Sequence, residues 1–296
     1  MEYHKPVLLK ETIEALKVEK EKLYIDATLG DAGHTLEILK KGGKVLGIEI
    51  NEEALKRANE RVSKEGFEGN FFGVLGNFKN IEEIAQNHGF KKVSGIVYDL
   101  GYSSIELEDM GLGLSFQLDE SLDMRLDKNL GVTAADLVNS LSEKELASLI
   151  YRYSDERMSR KIAEAIIEAR KLKKIQTTGD LVEIINSVSS PGYERGRINP
   201  ATRTFQALRI VVNDEIENLG KSLPQAARLL LPGSVIVLIT FHSLEDKVAK
   251  DFSRRARPSV SEMYRKPLTP AEEEIRTNVR SRSAKLRAFI KNGKKI

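Results

Sequence analysis

The chain of 296 residues has no cysteine, no tryptophan and only four histidines. Without cysteine it can form neither disulfides nor thiolate metal sites, which is typical of a cytoplasmic enzyme. The histidines are His4, His34, His88 and His242, and because no two of them have the spacing of metal ligands, no metal site is predicted. Long apolar runs are lacking too, and the charged N-terminal segment has no signal-peptide core. Neither a membrane span nor secretion is therefore expected.

Hydrophobic residues make up 41% of the chain, which is enough for a buried core and for more than one domain. The net charge of +3 hides an uneven distribution of the basic residues. Residues 254–296 contain 13 Lys and Arg against 4 Asp and Glu, and residues 157–209 contain 11 against 5. Basic segments on an otherwise acidic chain indicate a polyanionic partner, with nucleic acid the first candidate. The alternative is that these charges form a solvated surface or a loose tail.

The rest of the chain is organised around a glycine-containing turn between a strand and a helix. A buried strand ends near Ile25, the chain turns through Gly30 and Gly33, and a helical run continues to Lys41. Backbone N–H groups and the positive end of the helix dipole at such a turn can bind a ligand. A second strand ends near Glu49, where an acid holds the ribose hydroxyls of a nucleotide-type cofactor. Alternatively, the glycines only allow tight packing and Glu49 is an exposed acid.

Strands and helices alternate through the first hundred residues and again near the C-terminus. Further strands are predicted at 70–75, 93–99 and 235–241, and helices at 51–65 and 243–255. This alternation predicts an α/β fold with a mostly parallel sheet and helices on both faces. Ligands of such sheets bind beyond the carboxyl ends of the strands. Four side chains fall at or just past such ends: Asp26, Glu49, Phe78 and Asp99.

A helical region interrupts the α/β pattern, because residues 133–188 have helical spacing almost throughout. The simplest organisation is an α/β domain in two pieces, 1–112 and 206–296, that carries an inserted all-helical domain, 113–205. Near the C-terminus, residues 257–279 are predicted to form a loop and residues 285–290 a closing strand.

Asp99 ends the fourth predicted strand and opens the run Asp-Leu-Gly-Tyr-Ser-Ser. An exocyclic amine of a nucleobase is a poor nucleophile because its lone pair is conjugated into the ring. A carboxylate that accepts its N–H favours the nucleophilic form and eases the later loss of a proton. Asp99 fits that role, and Tyr102 fits a stacking partner for the base. The alternative is that Asp99 caps the next segment or contacts only the cofactor.

A second motif leaves the most apolar strand and enters a helix. His242 lies in this run, Thr-Phe-His-Ser-Leu-Glu-Asp, and could orient a base or transfer a proton. A lone histidine at such a position is more often a structural residue, and that alternative stays open.

A third motif sets polar side chains along one helix. Arg203, Gln206 and Arg209 are three residues apart, so they share roughly one face and could grip phosphates. The alternative is that Phe205 and Leu208 belong to a core while the arginines pair with acids.

Six motifs in this order connect the chain to a known family. They are Asp-Ala-Thr-Leu-Gly-x-x-Gly-His, Asp-Leu-Gly-x-Ser-Ser, Leu-Asp-Met-Arg, Asn-Pro-Ala-Thr-Arg-Thr-Phe-Gln-Ala-Leu-Arg-Ile, Phe-His-Ser-Leu-Glu-Asp and Arg-Ser-Ala-Lys-Leu-Arg. With them the chain resembles, nearly end to end, the bacterial ribosomal small-subunit RNA cytosine-N4 methyltransferases, the MraW/RsmH family. The resemblance implies a Rossmann-like class I S-adenosylmethionine-dependent methyltransferase with an inserted helical domain, acting on a cytosine of 16S rRNA.

The resemblance also implies which residues contact the cofactor. Together with Gly30 of the turn, these are Ala32, Gly33, His34, Glu49, Phe78, Asp99 and Glu106. Ala32 replaces a usual glycine and fits if its backbone φ is negative, and Glu49 replaces a usual aspartate. Glu106 stands where Gln or His is frequent. Tyr102 is often valine in the family, which weakens its assignment as a stacking residue.

The expected reaction is direct displacement, in which the cytosine N4 lone pair attacks the sulfonium methyl of S-adenosylmethionine. Catalytic roles are assigned to Asp99, Tyr102 and His242. Substrate contacts are assigned to Ser103, Ser104, Arg203, Gln206 and Arg209. The expected partner is 16S rRNA or the small ribosomal subunit, without membrane or metal, and a homodimer is left open. The alternatives are a non-catalytic RNA-binding or assembly factor, a methyltransferase of a protein or small molecule, and a nicotinamide-dependent oxidoreductase.

Overall fold

A computed structural model of the chain describes residues 5–101, 111–190, 192–196 and 199–293. The chain forms two compact units. The first combines Met1–Ser103 with Ile216–Ile296, and the second is Ser104–Glu215. Among the helices of the described ranges, none has the length and apolar character that crossing a membrane requires.

The first unit is built on a seven-stranded sheet with the strand order β3-β2-β1-β4-β5-β7-β6. The strands are β1 Leu23–Asp26, β2 Lys44–Glu49, β3 Phe71–Leu75, β4 Val93–Asp99, β5 Leu230–Thr240, β6 Val260–Glu262 and β7 Lys285–Lys291. The first five strands run parallel, whereas β7 pairs antiparallel with both β5 and β6. The predicted mostly parallel α/β sheet is therefore confirmed.

Helices pack against this sheet and bury its apolar side chains. They are Leu9–Leu16, Gly33–Lys40, Glu52–Lys64, Ile81–Asn87, Glu215–Leu229 and Ser243–Arg255. A further short helix of the unit, Glu272–Thr277, has no buried residue. The buried residues of the unit form two separate apolar clusters, as expected for a sheet covered on both faces. Asn51 caps Glu52–Lys64, since its side chain accepts the N–H groups of Glu53 and Ala54.

The second unit is helical. Its helices are Ala134–Ser140, Glu143–Ser154, Ser159–Leu172, Thr178–Val188 and Ala201–Val212. The first, second and fourth of these begin with capping boxes, in which a Ser or Thr and an acid three residues later satisfy each other's N–H groups. Their apolar stripes are buried at Leu146, Ile150, Ile162, Ile166, Leu181, Ile185, Phe205 and Leu208.

The second unit extends beyond the predicted insert 113–205 on its C-terminal side. Ala201–Val212 is one uninterrupted helix with a buried face, so the division between the units falls after it, at Glu215 and Ile216. Residues 257–279 are not all loop, because they contain β6 and the helix Glu272–Thr277. Both elements are too short to show a period in the sequence: β6 has three residues and the helix six.

Candidate active site

The sheet brings the predicted carboxylates to one edge. β1 lies between β2 and β4, and all three run in the same direction. Asp26, Glu49 and Asp99 are the last residues of these three strands. Because the carboxyl ends of parallel strands share one edge of the sheet, this is the edge at which ligands of such folds bind.

Glu49 ties the glycine turn to the end of β2. Its Oε2 accepts the N–H of Gly30 at 2.8 Å, and its Oε1 accepts the N–H of Asn51 at 2.9 Å. The side chain is buried, so the alternative of an exposed acid at a strand end is wrong. Gly30 has a φ of +49°, which favours glycine, and this backbone conformation lets its N–H point at the carboxylate.

A buried ion pair holds the same turn to the following helix, and the sequence analysis missed it. Arg57 Nε donates to Asp31 Oδ1 at 3.0 Å, and Arg61 Nη1 donates to the Asp31 carbonyl at 2.6 Å. The Asp31 side chain is almost completely buried. No local pattern could have revealed this pair, because the two partners approach each other only when the helix Glu52–Lys64 packs beside the turn.

Ala32 adopts a left-handed backbone conformation, with φ 60° and ψ 29°. The condition under which alanine replaces the usual glycine without strain, a negative φ, is therefore not met. The Cβ of an L-residue clashes with its own backbone in this region, at a cost of about 1–2 kcal/mol. The turn imposes the conformation, since Ala32 N–H donates to the Leu29 carbonyl while the Ala32 carbonyl accepts from Leu36.

We expect Ala32→Gly to leave the stability of the protein unchanged or to raise it by up to about 1 kcal/mol, because relief of the strain offsets the lost methyl burial. The matched control is Ala58→Gly, because Ala58 is also completely buried but lies within a regular helix. There the same change is expected to cost about 1–2 kcal/mol. Chemical denaturation of both variants measures the difference, and equal losses would contradict strain at Ala32.

Two buried carboxyl groups lie side by side at the sheet edge. Burial raises the pKa of Asp26 to about 6, although Thr35 and Thr28 donate hydrogen bonds to it. Burial, and then the negative charges of Asp26, Glu245 and Glu274, raise the pKa of Asp99 to about 8. Asp99 is thus a carboxyl group that is largely protonated at neutral pH and, once ionised, is a stronger base than an ordinary carboxylate.

One carboxylate oxygen of Asp99 is left without a hydrogen-bond partner among the described residues. Its backbone N–H donates to Thr28 Oγ1 at 2.6 Å, which fixes the end of β4 against the end of β1. Its Oδ1 is buried and has no hydrogen-bond partner within the described ranges. A buried polar atom without a partner is costly in a native protein, and such atoms are typical of functional sites.

His34 and Phe78 border the same edge. His34 is buried at the start of the helix Gly33–Lys40, with Nε2 3.2 Å from the Val7 carbonyl and Nδ1 3.7 Å from Asp99 Oδ2. Phe78 follows β3 and packs edge-on against Tyr98, with ring centroids 5.8 Å apart. Phe78 therefore lies just past a strand end, as the sequence analysis predicted, and His34 lies beside Asp99.

His242 is the N-cap of the helix Ser243–Arg255. Its Nδ1 accepts the N–H of Glu245, and the Glu245 carboxylate accepts the N–H groups of Phe241 and His242. This reciprocal arrangement is a capping box in which an imidazole replaces the usual hydroxyl. The His242 ring thus has the structural role of a helix cap, which was the alternative interpretation, and its catalytic role stays a prediction.

Four predicted site residues, Tyr102, Ser103, Ser104 and Glu106, lie outside the described residues.

The polar strip on the helix Ala201–Val212 has protein partners within the second unit. Arg209 forms a bidentate ion pair with Glu215, at 2.8 and 3.1 Å. Arg203 Nη1 lies 3.8 Å from Glu156, and Gln206 donates to the Tyr153 carbonyl at 3.5 Å. Phe205 and Leu208 are buried. Phe205 and Leu208 thus belong to a core while the arginines pair with acids, which was the alternative to phosphate binding. Phosphate binding by the strip stays a prediction.

The fold and this edge define a class of protein. The strand order with an antiparallel β7, the glycine turn after β1 and the acid at the end of β2 are those of Rossmann-like methyltransferases. The family follows from a comparison over the whole chain. Residues 1–292 match the MraW methylase family, and the chain belongs to this family.

The curated relatives share one name, and the match covers nearly the whole of each of them. The chain is 42% identical to "Ribosomal RNA small subunit methyltransferase H" of Persephonella marina over 288 residues, which cover 96% of this chain and 97% of that protein. It is 44% identical to the protein of the same name from Carboxydothermus hydrogenoformans, with 97% of each chain covered. The relative from Dictyoglomus thermophilum, also of this name, is 43% identical, with 96% of this chain and 95% of that protein covered.

These comparisons confirm the family that the six motifs indicated and the prediction of a methyltransferase. An oxidoreductase that uses the same crevice is not favoured, because the family is one of methylases. The roles of the individual site residues stay predictions.

Proposed function

We propose that the protein transfers a methyl group from S-adenosylmethionine to the N4 amine of a cytosine in the 16S rRNA of the small ribosomal subunit. The observation that carries this proposal is the end-to-end match with relatives named as methyltransferases of small-subunit ribosomal RNA. Because that RNA is part of the bacterial ribosome, the protein acts in the cytoplasm.

The residues at the sheet edge fit the donor. The Gly30 backbone borders open space, since no described atom lies within 4 Å of the position that a Cβ would take there. Glu49 is fixed beside this space by two backbone N–H groups, so its carboxylate can accept hydrogen bonds from ribose hydroxyls. Phe78 supplies an apolar surface, and Asp99 supplies a buried oxygen without a partner.

When bound, S-adenosylmethionine supplies a methyl group made electrophilic by its sulfonium charge. Asp99 is suited to the other half of the reaction. Its free Oδ1 can accept an N–H of the cytosine amine, which orients the lone pair, and its pKa of about 8 makes it a better proton acceptor than an ordinary carboxylate. Asp26 keeps the region polar and negative, and the hydrogen bond that the Asp99 backbone N–H donates to Thr28 Oγ1 holds this residue in place.

The basic segments 157–209 and 254–296 would contribute the contacts to RNA phosphates. Binding of the small subunit should therefore weaken as the salt concentration rises, in proportion to the number of phosphates neutralised.

The decisive experiment identifies the methylated product. The protein is incubated with methyl-labelled S-adenosylmethionine in three parallel reactions. They contain, respectively, unmodified small subunits, naked 16S rRNA and total protein as the acceptor. After nuclease digestion, the label is expected in N4-methylcytidine from the RNA. Label in protein or in a small molecule would support a different acceptor, and the absence of any incorporation would support the non-catalytic assembly factor.

A further inference from the structure

The C-terminal part of the first unit reaches back to the N-terminal segment 5–8. Glu274, on the short helix Glu272–Thr277, accepts the N–H of Leu8 through Oε1 at 2.8 Å. The Asn278 side chain donates to the Lys5 carbonyl at 3.3 Å, and Lys5 Nζ donates to Thr277 Oγ1 at 3.2 Å. The Leu8 contact is the partly buried one of the three, so it is the least weakened by water.

The segment held in this way lies directly on the donor turn. A Cβ at Gly33 would stand 3.0 Å from the Pro6 ring, which shows how closely the two backbones approach. The Val7 carbonyl accepts from His34 Nε2 at 3.2 Å in a buried contact. Val7 and Leu8 are themselves completely buried, so the segment cannot shift without moving the start of the helix Gly33–Lys40.

The Val7 carbonyl also decides which nitrogen of His34 carries the proton. A carbonyl oxygen is only an acceptor, so Nε2 must donate to it. In the neutral ring Nδ1 is then the acceptor, and it faces Asp99 Oδ2 at 3.7 Å. The position of residues 5–8 thereby fixes both the orientation of the imidazole and the nitrogen that it presents to Asp99.

We propose that Glu274 is a positioning residue of the donor site, which acts through the Leu8 N–H and the Val7 carbonyl to hold His34 in one orientation and tautomer beside Asp99. That this edge binds the methyl donor rests on the proposed function. The effect of Glu274 on His34 does not.

The contact needs a strong acceptor because Leu8 is held in an unfavourable conformation. Its φ is +50°, in the left-handed region, and a branched residue stays there only when its surroundings impose it. A hydrogen bond to a charged acceptor supplies such a constraint, since it is about twice as strong as a neutral one. Leu8 directly precedes the helix Leu9–Leu16, so its carbonyl also accepts the N–H of Thr12.

The chain provides a matched control beside Glu274. Glu273 is the preceding acid on the same short helix and is exposed, so Glu273→Ala removes an equal charge without touching residues 5–8. Two further variants separate reach from charge. Glu274→Gln keeps an acceptor oxygen of the same reach, whereas Glu274→Asp keeps the charge and shortens the side chain by one methylene.

The first measurement is an NMR spectrum of the histidine ring nitrogens and protons in the apoprotein. The chain has only four histidines, so the signals of His34 can be assigned as those that disappear in His34→Gln. We expect the wild type to show His34 as the Nε2–H tautomer in a single environment. Glu274→Ala and Glu274→Asp are expected to shift or split these signals, and Glu273→Ala to leave them at the wild-type positions. Glu274→Gln keeps the acceptor oxygen but loses the charge that acts on Asp99, so it should shift them less than Glu274→Ala does.

The second measurement is calorimetric titration with S-adenosylmethionine. Glu274→Ala is expected to raise the dissociation constant on the order of tenfold, the effect of one lost charged hydrogen bond. Glu274→Gln keeps an acceptor oxygen but loses the charge, so it should recover part of the affinity. Unchanged His34 signals in a folded Glu274→Ala protein, or equal effects of Glu273→Ala, would overturn the proposal. If the wild type binds no donor, the proposed function fails, and the spectra still decide the role of Glu274.

Discussion

Asp99→Asn is expected to slow methyl transfer to cytosine at least about 100-fold, within the range that loss of a general base produces. An amide of the same shape can still accept a hydrogen bond from the amine, but it cannot take up the proton that the methylated amine must lose. Donor binding should change much less than turnover. Single-turnover transfer and calorimetric titration of S-adenosylmethionine separate the two effects. A loss confined to donor affinity, with the transfer rate of the saturated enzyme intact, would identify Asp99 as a cofactor contact only.

The same group gives the reaction a defined pH dependence. Because burial and the charges of Asp26, Glu245 and Glu274 raise the pKa of Asp99 to about 8, the carboxylate form is scarce below that pH. The ratio kcat/KM, which reports ionisations of the free enzyme, should therefore rise with pH and level off above about 8. Asp26→Asn removes one of the raising charges, so its profile should level off at lower pH. Asp99→Asn should abolish this rise in its residual activity.

Removing Asp99 should also stabilise the empty protein. A carboxyl group whose folded-state pKa lies above its unfolded-state pKa binds more protons when folded, so its contribution to stability falls as pH rises from about 4 to about 8. The side chain is only 14% exposed, so little of this cost is relieved by water. We expect Asp99→Asn to raise the free energy of unfolding by about 1–3 kcal/mol at pH 7 and to have no such effect near pH 4. A decrease at pH 7 would contradict the raised pKa.

The parts of the site that the sequence predicted correctly are those defined by local order along the chain. A strand, a glycine turn and a helix place Gly30 and Gly33 at a strand end, and an acid that closes the next strand falls beside them. This needs only the rule that parallel strands end at one edge. The position of Glu49 beside the glycine turn was therefore predicted without knowledge of its contacts.

The parts that could not be predicted depend on residues far apart in the sequence. The left-handed conformation of Ala32 is imposed by the turn, and its own residue type argues against it. Glu274 contacts Leu8 across 266 positions, and no spacing rule connects them. The sequence alone does not decide whether the arginines of the strip, Arg203 and Arg209, face solvent or pair with acids. Their acidic partners come from other segments of the chain.

Two of the six motifs meet in a buried ion pair whose loss should have the largest effect on stability. Asp246 ends the motif Phe-His-Ser-Leu-Glu-Asp, and Arg287 ends the motif Arg-Ser-Ala-Lys-Leu-Arg. Arg287 Nε donates to Asp246 Oδ1 at 2.7 Å, with both side chains largely buried. Lys250 also reaches Asp246, with Nζ 2.6 Å from Oδ2. The pair joins the helix Ser243–Arg255 to β7 and so fixes the antiparallel edge of the sheet.

Asp246→Ala is expected to lower the free energy of unfolding by about 3–5 kcal/mol, because it leaves the Arg287 guanidinium buried without a carboxylate. Chemical denaturation at pH 7 measures the loss. The control is Asp251→Ala, which removes a partly exposed acid paired with the exposed Arg254 on the same helix and should cause no resolvable change. In the double variant Asp246→Ala with Arg287→Met, part of the loss should be recovered, since no buried charge is left unpaired and Lys250 is exposed to water.

The pH dependence distinguishes this ion pair from simple packing. Burial acts to raise the pKa of Asp246, but the hydrogen bonds from Arg287 and Lys250 outweigh it and hold the pKa below its ordinary value. A carboxyl with a lowered folded-state pKa stabilises the protein above its unfolded-state pKa, and this contribution is lost as pH falls through the folded-state value. The stability difference between the wild type and Asp246→Ala should therefore be full at pH 7 and shrink below about pH 4. A difference that stays constant into acid would assign the loss to packing. A difference below about 1 kcal/mol at pH 7 would show that water satisfies the Arg287 guanidinium once the carboxylate is gone.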